Sequence, residues 1–308
     1  MTEGAPSITV VGACHIDRKA RAAAPFVEGA SNPVALRSWP GGVARNVAEN
    51  LVRLGATAAL VSRLGADAEG SALRGSLDGL GVDTAGVTLS EAAPTAFHLI
   101  ALQPDGEMLV AVADMRIYDE ITPALLERLP AALWQADAVF ADCNLPAATL
   151  AFLAGRCAGR RRFAVNGVSP AKALRLRPHL AACDLVFVNR HEAAALLDRP
   201  VEGLDPAAAA AKLQAEGAGE VVMTLGGAGL CIAAEGEPFM LGSFKADLVD
   251  ITGAGDALAA AYLDARLRGL DAGTAGRRAL AAAALTVTCE ESVSPALTPA
   301  VLDAMVAA

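Results

Sequence analysis

Short apolar runs rich in Val, Ile and Phe alternate along this chain with Ala- and Leu-rich stretches whose apolar positions recur at helical spacing. The runs predict strands at residues 7–11, 58–62, 138–142, 163–166, 185–189 and 220–225. Between them the spacing predicts helices at 43–54, 68–80, 123–135, 147–158, 191–197 and 206–216. Such alternation points to an α/β fold, a mostly parallel central sheet with helices on both faces. Two stretches depart from it, 14–40 and 94–118. The second holds an alternating run at 97–102, a turn at Pro104-Asp105-Gly106 and another strand from 107 to 112, which reads as a hairpin apart from the main sheet. Placed near the carboxyl ends of the strands, a hairpin of this kind would cover a substrate, although a surface decoration fits the pattern too.

Composition narrows the class. With 308 residues and 54% hydrophobic content the chain can bury a large core. A net charge of −9 repels polyanions, and no Lys/Arg stretch is interleaved with aromatics, so nucleic acid is not an expected partner. The basic cluster Arg160 to Arg162 reads as a solvated loop. Cys14, Cys143, Cys157, Cys183, Cys231 and Cys289 are too scattered for a zinc site or redox pair and read as reduced structural residues. No apolar segment approaches the roughly 20 residues that span a bilayer, and no secretory leader is seen, so no membrane partner is expected and the cytoplasm is the expected address.

The sharpest local signal is Asp250-Ile251-Thr252-Gly253-Ala254-Gly255-Asp256, ahead of the apolar helical stretch 257–267. Small residues at a helix start let a ligand approach the backbone, and the unpaired first-turn N–H groups form an anion hole suited to phosphate. Asp256 would stand beside that phosphate and could take the proton of an attacking hydroxyl. An isolated acid there reads equally as a first-turn residue favoured by the helix dipole.

Three further motifs are each open to a plain reading. Gly41-Gly42-Val43-Ala44-Arg45-Asn46 opens a helix that stops at Gly55; Asn46 could contact a polyhydroxy substrate or simply cap. Asn189-Arg190-His191-Glu192 follows a strand, where α/β sheets bind ligands; it could orient a hydrated magnesium ion or form an ordinary capping box. Thr224-Leu225-Gly226-Gly227-Ala228-Gly229 could be a tight hairpin or the wall of a nucleotide pocket. The G-x-G-x-x-G turn of a dinucleotide-binding oxidoreductase is missing after the first strand, where Val11-Gly12-Ala13-Cys14-His15-Ile16-Asp17 stands.

Taken in this order and spacing, from Ile8 to about Ala296, the motifs resemble those of the PfkB family of carbohydrate and nucleoside kinases. The resemblance implies a ribokinase-like three-layer sandwich with a small β lid, one kinase domain over 1–308 with lid segments near 14–40 and 94–118. It implies Asp256 as catalytic base and Gly253, Ala254 and Gly255 as the anion hole. Asp17, Gly42 and Asn46 would hold substrate hydroxyls, Asn189, Thr224, Gly226 and Gly229 the ATP, and Glu192 a magnesium ion indirectly. Asp250 and Thr252 match positions that bind a monovalent cation in many members, usually potassium. Within the family, Ser31-Asn32-Pro33, Asp114-Met115, Asp142-Cys143-Asn144 and Cys289 to Pro295 look most like pseudouridine kinases, which phosphorylate the 5′-hydroxyl of the C-nucleoside. Asn32, Asp114 and Asn144 are the corresponding candidate substrate contacts. The alternatives are a free sugar or another nucleoside as acceptor, or a non-catalytic binding protein on the same scaffold. A homodimer paired through the lid is the expected assembly. One departure is Asn166-Gly167, where the family often has Asp-Pro.

Overall fold

The computed structural model describes residues 4–160 and 162–307; Arg161, the centre of the basic cluster, lies outside the described residues. The main sheet is built from β1 (Ser7–Val11), β4 (Thr57–Gly65), β5 (Asp83–Ser90), β8 (Ala138–Asp142), β9 (Arg162–Asn166), β10 (Leu185–Asn189), β11 (Glu220–Thr224), β12 (Leu230–Ala233) and β13 (Phe239–Leu241). Its order is β13-β12-β11-β10-β9-β8-β1-β4-β5, parallel except for the two pairings that involve β12. The central strands are continuous apolar runs because both faces are covered. Val139, Ala141, Val186 and Val188 enter one core cluster, whereas the alternate residues Phe140 and Phe187 enter the other. Phe187 meets Tyr262 edge-on at 5.9 Å, which fastens the helix Ala254–Leu267 to the sheet.

The remaining strands, β2 (His15–Ala22), β3 (Val34–Gly41), β6 (Phe97–Leu102) and β7 (Met108–Asp114), form a second sheet in the order β3-β2-β6-β7. The hairpin expected in 94–118 is therefore joined by both halves of 14–40. Residues paired across the ladder share a face. Asp17 pairs with Trp39 and His98, and Lys19 with Arg37, which gives one polar face. The opposite face carries Val34, Leu36, Val110 and Val112, all exposed.

The structure corrects the helix expected over 123–135. It breaks into Pro123–Glu127 and a 3-10 turn Ala131–Gln135, because Pro130 lacks an N–H and disfavours helical backbone in the residue before it. The apolar runs do not predict β2, β3, β5 or β13, and they imply β12 only as the second arm of a hairpin at Thr224–Gly229. Five of the six cysteines are buried and Cys289 is half-buried. Among the described residues no helix is long and apolar enough to cross a membrane, and no group of three or more His, Cys, Asp and Glu could hold a metal ion.

Candidate active site

The turn before the helix Ala254–Leu267 is set by Gly253, whose φ of 81° lies in the left-handed region and where a Cβ would collide with the carbonyl oxygen of Ser292. Of the three expected anion-hole amides, Ala254 N–H already donates to Ile251 O at 3.3 Å, whereas Gly253 and Gly255 make no such bond among the described residues. Asp256 lies on the first helical turn and lines a cleft of about 180 Å³ together with Asn166, Asn189, Glu192, Thr224 and Gly255. Its Oδ2 accepts from Asn46 Nδ2 at 2.8 Å. Arg45 Nη1 donates to Asn46 Oδ1 at 2.9 Å, so the amide can present only its NH₂ to Asp256. Arg45 is itself fixed by an ion pair with Glu49. Burial is the main influence on Asp256; with help from the charges of Asp142 and Asp17 it outweighs the Asn46 bond and raises the carboxyl to about 7. A base poised there is matched to proton transfer near neutral pH.

Asp142, at the end of β8, is fully buried and ties the acceptor side together. Its carboxylate accepts from Ala13 N at 2.8 Å, Ala44 N at 3.1 Å and Asn144 N at 2.9 Å. It thereby pins the loop after β1 to the N-terminus of the helix Val43–Arg53, which carries Asn46. Gly42 has φ 103°, and a Cβ there would collide with Ala13 O, so only glycine lets these two segments touch. On the polar face of the small sheet, His15 Nε2 lies 3.2 Å and His98 Nδ1 3.6 Å from Asp17 Oδ1. Burial would raise the Asp17 carboxyl, but the two imidazoles outweigh it and hold it well below the usual carboxylate range. His15 Nδ1 is 3.1 Å from the hydroxyl of Tyr118, which donates to Cys14 O. His15, His98, Arg45 and Asp142 were missed as site residues, because strand pairing and tertiary contact, not sequence spacing, bring them here.

On the other side of Gly255 a cleft of about 540 Å³ is lined by Thr224, Gly226, Gly229, Phe244, Leu248, Ile251 and Leu280, among others. That is within the roughly 300–1,000 Å³ of small-molecule sites. The motif from Thr224 to Gly229 is both things the sequence allowed, the connection between antiparallel β11 and β12 and a wall of this cleft. The two clefts share Thr224, Gly255 and Leu258, so the free first-turn amide lies at their junction. Asn189 and Glu192 form the capping box: Asn189 Oδ1 accepts from Glu192 N, and Glu192 accepts from Asn189 N at 3.0 Å and Nδ2 at 2.7 Å. Glu192 still lines the cleft. Burial pushes it above its ordinary value, a cost that a bound cation would offset, so the pair suits a hydrated divalent ion. The Asn166-Gly167 departure makes a turn in which Asn166 Oδ1 accepts from Val168 N at 2.8 Å and Val168 takes φ 67°, a strained value for a β-branched residue.

Several of the expected contact residues are engaged with other groups of the chain. Asn32 spends its amide on Val27 and Ala30, closing a turn at the tip of the small sheet. Asp114 forms a two-pronged ion pair with Arg116, which holds its carboxyl at about 2. Asn144 Oδ1 accepts from Lys172 Nζ at 2.6 Å. Asp250 does not stand open to a monovalent cation with Thr252. Its Oδ1 accepts from Thr252 N at 2.9 Å and Thr252 Oγ1 at 2.7 Å, and its Oδ2 is paired with the ammonium of Lys19.

Comparison with known proteins agrees with this fold. A family model described as pfkB family carbohydrate kinase matches residues 5–299. Pseudouridine kinase of Escherichia coli is 30% identical over 94% of this chain and 93% of its own length. Ribokinase of Bacillus subtilis is 28% identical, over 91% of this chain and 92% of its own. The solved structure of a carbohydrate kinase from Agrobacterium tumefaciens superposes with a TM-score of 0.86 at 31% identity, covering 98% of this chain and 97% of the other.

Proposed function

The chain belongs to the pfkB family of carbohydrate kinases, and from that premise we propose that it transfers the γ-phosphoryl group of ATP to the 5′-hydroxyl of pseudouridine. The observation that carries the reading is that Asp256 lines one cleft directly beside Gly255, where that cleft meets a second one walled largely by glycine backbone and apolar residues. The larger cleft takes the nucleotide, with Thr224, Gly226 and Gly229 along one wall and Leu248 and Ile251 along the other. The acceptor lies under the polar face of the small sheet. Asp17 accepts from its ribose hydroxyls, and Asn46 and Gly42 fix it against the helix start.

Asp256 removes the proton of the attacking hydroxyl, and the N–H groups of Gly253 and Gly255 receive the charge of the transferring group. Asn189 and Glu192 would hold magnesium, which would offset the charge of the phosphates. The protein otherwise contributes position. The likeness to pseudouridine kinase and the polar network around Asp17 favour a nucleoside as acceptor. The exposed apolar face of the small sheet supports a homodimer, with strands β2, β3, β6 and β7 serving as lid and contact surface at once.

A panel of pseudouridine, uridine, inosine, ribose and fructose, assayed by ADP release, tests the acceptor. Pseudouridine should give the highest kcat/KM, with phosphate on the 5′ oxygen by NMR. Ribose or an N-nucleoside surpassing it would replace the acceptor and leave the phosphotransfer standing.

A further inference from the structure

We infer that the ammonium group of Lys19 is a built-in substitute for the monovalent cation implied beside Asp250, so that phosphotransfer by this chain needs no added potassium. The inference rests on the phosphotransfer reading above but not on the acceptor. Lys19 lies on the polar face of the small sheet, two residues beyond Asp17. Its side chain runs over the indole of Trp39, with Nζ 5.5 Å from the ring centroid, and ends on Asp250 Oδ2. Both partners are largely shielded, at 23% and 18% side-chain exposure. The other oxygen of Asp250 is filled by the N–H and hydroxyl of Thr252. A free ion binds where several oxygens converge without competing donors, and here the carboxylate is already neutralised.

Chemically an ammonium is a monovalent cation with three donors. Attached to a strand, it is present at an effective concentration on the order of millimolar or more, which a dissolved ion must exceed to displace it. Its place matters because Asp250 begins the segment that ends in Gly253, and the positive charge acts on the turn that receives phosphate. The same strands hold the neighbouring loop. Trp39 Nε1 donates to Glu290 O at 2.7 Å and Arg37 pairs with the Glu290 carboxylate, while the Ser292 carbonyl packs on Gly253. The buried Ser292 Oγ, close to this turn, has no partner among the described residues. Lys19 thus joins the sheet over the acceptor to the turn under the phosphate, acting as a positioning residue.

The test titrates potassium against choline at a constant ionic strength of about 0.1 M, and follows both turnover and melting temperature. Wild-type protein should change kcat/KM by less than about twofold and show no potassium-specific rise in Tm. Lys19→Met should lose about tenfold or more in choline, recover much of it in potassium and gain a potassium-specific Tm rise of about 2 °C or more. Wild-type protein that requires potassium or is melted later by it would overturn the inference, as would a Lys19→Met protein equally active and equally stable in both salts. The wild-type titration needs no variant to fold, and the melting experiment needs no acceptor, so a wrong acceptor and a wrong Lys19 assignment give different results.

Discussion

On the Asp256 side of the junction, side chains hold one another: Glu49 fixes Arg45, Arg45 orients Asn46, Asn46 holds Asp256, and His15 and His98 flank Asp17. In the larger cleft the walls are mostly glycine backbone and apolar groups, among them Leu248 and Ile251, which are 68% and 72% exposed. The difference divides the labour. A network of buried polar groups rejects an acceptor that leaves any of them unpaired, whereas an apolar wall distinguishes ligands only weakly. Selectivity is therefore concentrated on the acceptor side.

The strongest challenge to this contrast is Asp256→Ala, which should lower kcat by about 10²–10⁴-fold, with ATP binding by calorimetry almost unchanged. Asp17→Asn comes next; loss of the charged acceptor should lower kcat/KM for the acceptor by about 10–100-fold and leave KM for ATP within about twofold. The pH profile is the third measure. A base raised to about 7 predicts that kcat/KM falls roughly tenfold per pH unit below that value. The corresponding stability effect has a definite sign. Between the ordinary value of 3.8 and about 7 the folded chain binds the proton more tightly than the unfolded one, so Asp256 makes the fold less stable as pH rises through that window. Asp256→Asn should accordingly melt higher than wild type at pH 8, by a few degrees in differential scanning calorimetry. On the apolar wall, Leu248→Ala should raise KM for ATP only about threefold and leave the acceptor KM alone. Least of all, Asn32→Ala and Asp114→Ala should each change kcat/KM by less than about twofold, since a turn and an ion pair with Arg116 absorb these groups. A loss above tenfold at either position would extend the polar network to the tip of the small sheet.

How much was legible follows from how local each signal is. The buried parallel strands and the Gly253 to Asp256 turn are written in contiguous residues, so apolar runs and small-residue spacing disclose them. The break at Pro130 is written in a single residue, whose missing N–H outweighs the helical spacing around it. The small sheet was half-legible: its hairpin alternates visibly, but the run from His15 to Ala22 mixes His, Asp, Arg and Lys with alanines and carries no clear period. His98 reaches Asp17 only because β2 and β6 pair in parallel, a register no local pattern announces. Asp142 belongs to the Asp142-Cys143-Asn144 motif, but nothing local shows that its carboxylate also gathers N–H groups from Ala13 and Ala44 in two distant segments. Lys19 meeting Asp250, 231 positions away, was likewise invisible in the sequence.

The cysteine inventory has a practical consequence. Burial pushes the thiols of Cys14 and Cys183 up to about 12, so these groups stay protonated and unreactive while the chain is folded. Cys289 alone is partly open, and it adjoins Glu290, whose carbonyl is held by Trp39. A maleimide dye should therefore attach first at this position without any engineered residue, giving a fluorescent gauge of whether the strands over the acceptor and the loop behind the phosphate turn move together.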